Sequence, residues 1–335
     1  MQFFERLFRP WKSRNSATAT SIAEPQLPSL LLSWRSDTTM PIVDWDTTHK
    51  QAPQPTDTEA ANTYWRAAAM VWLDALREHL GPSYTITCST SFAMLSSLQG
   101  RQRQLTLDFC ERSRRRILSS LEGIASAWGH GPHALLLFDD SDTYLDYIGN
   151  YYPNSGEFKI PGGVFLRKGY GHFALISSDL SRMERVIAHE LTHCLLAPLP
   201  IPLWLNEGTA VNMEKLLVPR GINPRQGIFA ERDRIGKRAA FWNEETIQQF
   251  WSGRSFSRPD EASEFSYELA EVLTRLIAKD YEQYRVFMNR AHRSDAGSAA
   301  AAVLGVTLGE LAGAVLGRGD WRPDPHQWQM GIQVQ

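Results

Sequence analysis

Between Arg185 and Ala210 the chain reads RVIAHELTHCLLAPLPIPLWLNEGTA, and its three alternate prolines, Pro198, Pro200 and Pro202, constrain the fold more than any other feature. Proline has no backbone N–H and its ring collides with the preceding turn, so no helix runs through such a stretch. Upstream, Met183, Val186, Ile187, Leu191, Cys194 and Leu195 recur with helical spacing. One helix therefore ends near Ala197 and a second begins near Leu203.

The polar residues on either side of that break carry the chemistry. His189 and His193 lie four apart, on one side of the first helix and about a turn from each other. Imidazoles stacked in this way can aim nitrogens at one ion, at the roughly 2.0–2.1 Å that zinc requires. Glu190, one step round, falls beside that ion without needing to ligate it, the position of a general base for zinc-activated water. His193 precedes the break by about one turn and Glu207 follows the restart by about one turn. If the proline segment reverses the chain, Glu207 completes a three-ligand Zn2+ site with an open fourth position, the arrangement of catalytic zinc. The plain alternative is a pair of core histidines with two unrelated carboxylates.

HELTH followed by PLWLNEGTAV resembles the gluzincin metallopeptidases: the zinc aminopeptidases, with a similar W-L-N-E-G-x-A, and more closely the small bacterial peptidase-MA-like domains. The resemblance spans about Tyr84 to Gly317 and is sharp only over Val186–Ala210. It implies His189, His193 and Glu207 as zinc ligands and Glu190 as the catalytic base. It also implies a tyrosine on a later helix that stabilises the oxyanion, for which Tyr267 in FSYELAEVL is the candidate; an ordinary packing tyrosine is the other reading. In the aminopeptidases a glycine-rich edge strand lets substrate backbone lie alongside, and Gly162 and Gly163 in PGGVFL resemble that position. The glutamate with which aminopeptidases hold a free amine is missing there. The implied activity is a zinc peptidase acting on a peptide or protein substrate. The alternative is a non-catalytic zinc-binding module of the same fold that binds peptides or regulates a partner.

The rest of the chain reads as an α+β protein, a small mixed sheet followed by a helical half with the active-site helix pair between them. Residues 1–60 form an irregular lead-in, 61–178 a helix-and-strand part, 179–320 the helical part with the site, and 321–335 a tail. ANTYWRAAAMVWLDALREHLG is helical and closed by Gly81; SYTITCSTS and ALLLFDD are strands. QRQLTLDFCERSRRRILSSLEGIASAW is one long amphipathic helix whose Arg112, Arg114, Arg115 and Arg116 form a solvated face. YLDYIGNYYPNSGEFKI reads as a strand and a turn-rich loop, GGVFLRK and GHFALISSD as strands. EASEFSYELAEVLTRLIAKDYEQYRVFMNRA, SAAAAVLG and TLGELAGAVLG read as helices. His172 is placed in a loop, and Cys194 as a buried apolar cysteine.

Charge and composition narrow the partners. A net charge of −2 over 335 residues gives no field for nucleic acid. Three widely spaced cysteines suggest a reducing, cytoplasmic setting and no disulfide framework. No stretch has the roughly 18–20 apolar residues of a transmembrane helix. In MQFFERLFRPWKSR, Phe4, Leu7, Phe8 and Trp11 share a helical face, a weak signature of peripheral membrane contact that Pro10 interrupts. G-x-S-x-G and G-x-x-x-x-G-K-[ST] motifs are absent, and GYGHFA precedes a strand where a dinucleotide fingerprint would follow one.

Overall fold

The structure, a computed structural model, describes residues 30–152, 162–219 and 240–328. The N-terminal aromatic strip and most of the YYPNSGEFKI loop lie outside the described residues.

Five strands build a mixed sheet: β1 (Thr85–Cys88), β2 (Phe92–Ser96), β3 (His133–Phe138), β4 (Gly163–Leu166) and β5 (His172–Ile176), in spatial order β1-β2-β3-β5-β4. The outer pairs are antiparallel and the two inner pairings, β2 with β3 and β3 with β5, are parallel. Both faces of the central strands are buried, which is why FAMLS and HALLLF read as continuous apolar runs. Strand alternation divides the core. Phe92, Met94, Leu135, Leu137, Phe173 and Leu175 point to one face; Ala93, Leu95, Ala134, Leu136, Phe138 and Ala174 point to the other.

On the second face lie α1 (Trp45–Gln51), α2 (Thr58–Leu80) and α4 (Ser141–Gly149). On the first lie α3 (Gly100–Ser120), α5 (Leu180–Leu196), α6 (Leu203–Leu217), α7 (Glu244–Trp251), α8 (Glu261–Ile277), α9 (Tyr281–Arg290) and α10 (Leu308–Leu316). A small sheet followed by a helical half is therefore present. Each fully buried Leu, Ile or Phe between the layers contributes roughly 1.5–3 kcal/mol.

Several segments depart from expectation. The lead-in is not irregular throughout. Met40, Ile42, Val43 and Trp45 are buried, Trp34 bridges Val43, and Asp44 caps α1 by accepting from Thr47 N–H. YLDYIG is helical: Asp140 caps α4 through Thr143, and Tyr144, Tyr147 and Ile148 form its buried stripe. The long helix α3 stops at Ser120, before Gly123 with φ +78°. The long helix expected after residue 261 is two, because Asp280 starts α9 by accepting from Gln283 N–H. SAAAAVL forms a 3-10 turn over Ser298–Leu304. His172 belongs to β5 and is buried, its ring held between Tyr147 Oη at 2.7 Å and the Tyr170 carbonyl at 2.6 Å.

Among the described residues no single helix is long and apolar enough to cross a membrane. The bent pair Ser298–Leu304 and Leu308–Leu316, at 75°, passes on length and composition only, and its Ala300, Ala301, Leu308 and Ala312 are buried in the core.

Candidate metal centre and its cleft

Helix α5 is positioned from both ends. Asp179 caps it by accepting from Arg182 N–H at 3.0 Å. Its last carbonyls, which no further turn can satisfy, take N–H groups from outside: Leu195 O from Ser126 at 3.0 Å, and Cys194 O from the Trp128 indole. The buried face, with Met183, Ile187, Leu191, Cys194 and Leu195, packs against the sheet and neighbouring helices. The opposite stripe carries His189 and His193. Cys194 is thus a core thiol, its pKa pushed up by burial.

The prolines end α5, and Pro202 then accepts from Leu205 and Asn206 N–H to start α6. Pro200 O accepts from Arg293 N–H at 2.9 Å, which anchors the reversal. α6 also meets α8 at very close range. A methyl on Gly208 would lie 2.3 Å from Ala270 O and 2.3 Å from Thr274 Oγ1, so only glycine fits. That contact sets the position of its neighbour, Glu207.

The consequence is convergence. Glu207 Oε2 lies 3.2 Å from His189 Nε2 and 3.3 Å from His193 Nε2, and the three ligand atoms are within 4.8 Å of one another. The far nitrogens are held too: His193 Nδ1 donates to Asn206 Oδ1 at 3.0 Å, and His189 Nδ1 sits 3.5 Å from Glu214 Oε2. With protons on both Nδ1 atoms, two imidazole lone pairs and a carboxylate face one point, an arrangement that demands a cation or added protons.

The electrostatics of the groups point the same way. Burial alone would push both imidazoles down. Hydrogen bonds that His189 donates to Glu207 and Glu214 overturn that, lifting His189 to about 10, and the charge of Glu207 raises His193. Burial would raise Glu207, yet the two imidazoles hold its carboxyl far below the usual range. These three residues have the spacing and the chemistry to hold a metal ion.

Glu190 stands beside them, buried, with Oε2 accepting from Phe165 N–H at 2.8 Å. Burial pushes its carboxyl upward and the nearby imidazoles pull it down, with burial ahead. Phe165 lies in β4, the sheet edge. Gly162 O accepts from Ile176 N–H, so Gly162, Val164 and Leu166 face β5 with their polar groups, while Gly163 and Phe165 turn theirs outward.

The cleft over the site measures about 1370 Å³, above the range of about 300–1000 Å³ usual for small-molecule pockets. Gly162 and Gly163 line it. The space of a Gly163 side chain is filled from within: a Cβ would lie 2.4 Å from Val186 Cγ1 and 2.7 Å from Leu175 Cγ. This glycine therefore lets β4 seat on α5, and the same closeness brings Phe165 to Glu190. Tyr267, on α8, lines the cleft with its ring centre 6.4 Å from that of His189. Burial pushes its hydroxyl well up, so it remains a donor.

Asn206 and Glu214 were not foreseen from sequence. The signal was present for Glu214, seven residues and two turns after Glu207 and so on the same face of α6. Asn206 had only its adjacency. Comparison with protein-family models, with curated proteins and with solved structures finds no match for this chain.

Proposed function

We propose that the protein is a zinc-dependent peptidase with Glu190 as its general base. One observation carries the reading: two imidazole nitrogens and a carboxylate converge beside a buried glutamate and an outward-facing strand edge. A tetrahedral ion held at roughly 2.0–2.1 Å has ligand-to-ligand edges of about 3.3 Å. The observed separations of 3.2 and 3.3 Å fit that edge. Two nitrogens and one oxygen also match the donor set of catalytic zinc and leave one position open.

Bound there, zinc would supply a Lewis acid that acidifies water and polarises a carbonyl. The chain's own residues do the rest. Gly163, through its N–H and carbonyl, and Phe165, through its carbonyl alone, offer outward backbone groups along which a substrate strand pairs, bringing its carbonyl over the site. The Phe165 N–H fixes one oxygen of Glu190, and the other takes the proton of the attacking water and delivers it to the leaving nitrogen. Tyr267 donates its hydroxyl hydrogen to the oxyanion. Asn206 and Glu214 hold the two imidazoles in the tautomer that presents Nε2.

The test is Glu190→Gln, which keeps an acceptor for Phe165 N–H and removes the base. It should retain parental zinc stoichiometry and lose cleavage of a diverse peptide library by about a hundredfold or more. Parental cleavage rates in Glu190→Gln would overturn the role of Glu190. Zinc binding with no cleavage by the parent would make the protein a peptide-binding module.

A further inference from the structure

The stripe of α5 that carries the two histidines continues toward the start of the helix as Arg185 and Arg182, at successive spacings of four, four and three residues from His193. Both arginines line the same cleft. Arg182 is exposed and Arg185 half-buried. A Cβ on Gly162 would sit 3.6 Å from Arg182 Nη2, which puts this guanidinium at the beginning of the edge strand β4.

Among the described residues neither arginine forms an ion pair; Arg185 Nη1 only donates to Ser181 Oγ at 3.1 Å. The carboxylates across the cleft on α8 have partners of their own. Glu271 takes Lys215 Nζ at 2.6 Å and Arg275 Nη1 at 3.4 Å, and Glu264 and Glu268 each have partners. The cleft thus has a basic end beside the start of β4.

Distance along the helix sets where that charge meets a bound chain. Arg185 lies four residues from His189, about 6 Å along the axis, and Arg182 seven residues, about 10 Å. An extended peptide advances roughly 3.3 Å per residue. The two guanidiniums therefore stand about two and three residues from the bond over the metal centre.

We infer that Arg182 and Arg185 make this cleft select extended peptides that carry a carboxylate two to three residues from the scissile bond, on the side toward the start of β4. The inference rests on the peptidase reading and names its substrate class. Each guanidinium–carboxylate pair forms at a partly solvated rim, where one pair is worth up to about fivefold in affinity.

Two measurements on the full chain separate this inference from the reading beneath it. In the first, zinc-loaded protein digests a random peptide mixture and the cut sites are sequenced. Aspartate and glutamate should be enriched two or three residues from the cut on one side only. In the second, chelator-treated protein binds fluorescent octapeptide twins that differ by Glu or Gln at that position. The Glu twin should bind about twofold to fivefold tighter at low salt, with the difference vanishing at high salt. It should also vanish in Arg182→Gln/Arg185→Gln and reverse toward a lysine peptide in Arg185→Glu. Cutting without acidic enrichment overturns the selectivity and leaves the peptidase standing. Twin discrimination without any cutting overturns the peptidase and leaves an acidic-peptide site. Equal binding of the twins with no cutting overturns both.

Discussion

Gly208→Ala tests whether the α6–α8 contact sets the metal centre. The added methyl would face Ala270 O and Thr274 Oγ1 at 2.3 Å, where ordinary contact begins near 3.4 Å. Ala270 O is helix backbone and cannot swing aside, so α6 and α8 must separate by about 1 Å in a close-packed interior. Overpacking on this scale costs about 1–3 kcal/mol. Glu207 is the adjacent residue and moves with α6, while His189 and His193 stay on α5. Metal sites tolerate about 0.2 Å in ligand distance, so a shift several times larger should weaken zinc binding about tenfold to a hundredfold. Urea unfolding of chelated protein reads the first effect and competition against a zinc chelator dye reads the second. Gly149→Ala is the control, since its methyl would meet nothing within 4 Å. Parental zinc affinity and stability in Gly208→Ala would refute the argument that this contact positions the carboxylate.

Further outcomes follow from the same geometry. Zinc at about a hundred times its dissociation constant should stabilise the fold by about 2.7 kcal/mol and raise the melting temperature by several degrees; a melting curve indifferent to zinc and chelator would argue against the site. His172 and His133 are both lowered to about 4, by burial first, with Arg114 adding to the effect at His133. Between pH 6.5 and 4 the unfolded chain takes up protons that these folded imidazoles refuse, so their contribution is complete above pH 6.5 and is lost as the pH falls. At about 1.4 kcal/mol per pH unit, each histidine accounts for up to about 3 kcal/mol over that window. His172→Gln should flatten the acid limb by that slope, and equal slopes in urea titrations from pH 7 to 5 would contradict it. Tyr267→Phe should keep zinc affinity and lower kcat more than it raises KM; an unchanged kcat would return Tyr267 to a packing role.

Legibility in the sequence tracked the range of the interaction. The helix–break–helix and the shared stripe of His189 and His193 follow from chain-local rules: proline chemistry and a 3.6-residue period. The return of Glu207 needed only one short connection. What escaped depended on partners far along the chain. The burial of His172 comes from Trp72 and Tyr147, on other elements, so its sequence surroundings look like a loop. Helix α4 was mistaken for a strand because Tyr144 and Tyr147 are strand-favouring types, although Asp140 and Thr143 spelled out a cap. The 30–52 segment contributes isolated anchors without a period. Strand order, which puts β4 on the rim beside α5, is a property of the assembled sheet alone.

The bond from Phe165 N–H to Glu190 also governs how this protein behaves toward copies of itself. An unpaired rim of a sheet is a template for runaway stacking between molecules, and here a carboxylate occupies one of its outward donors. Glutamine in that place keeps the donor occupied, whereas alanine uncovers it. A Glu190→Ala preparation should therefore clump where Glu190→Gln stays dispersed, so a colloidal defect and a chemical one can be told apart by the choice of replacement.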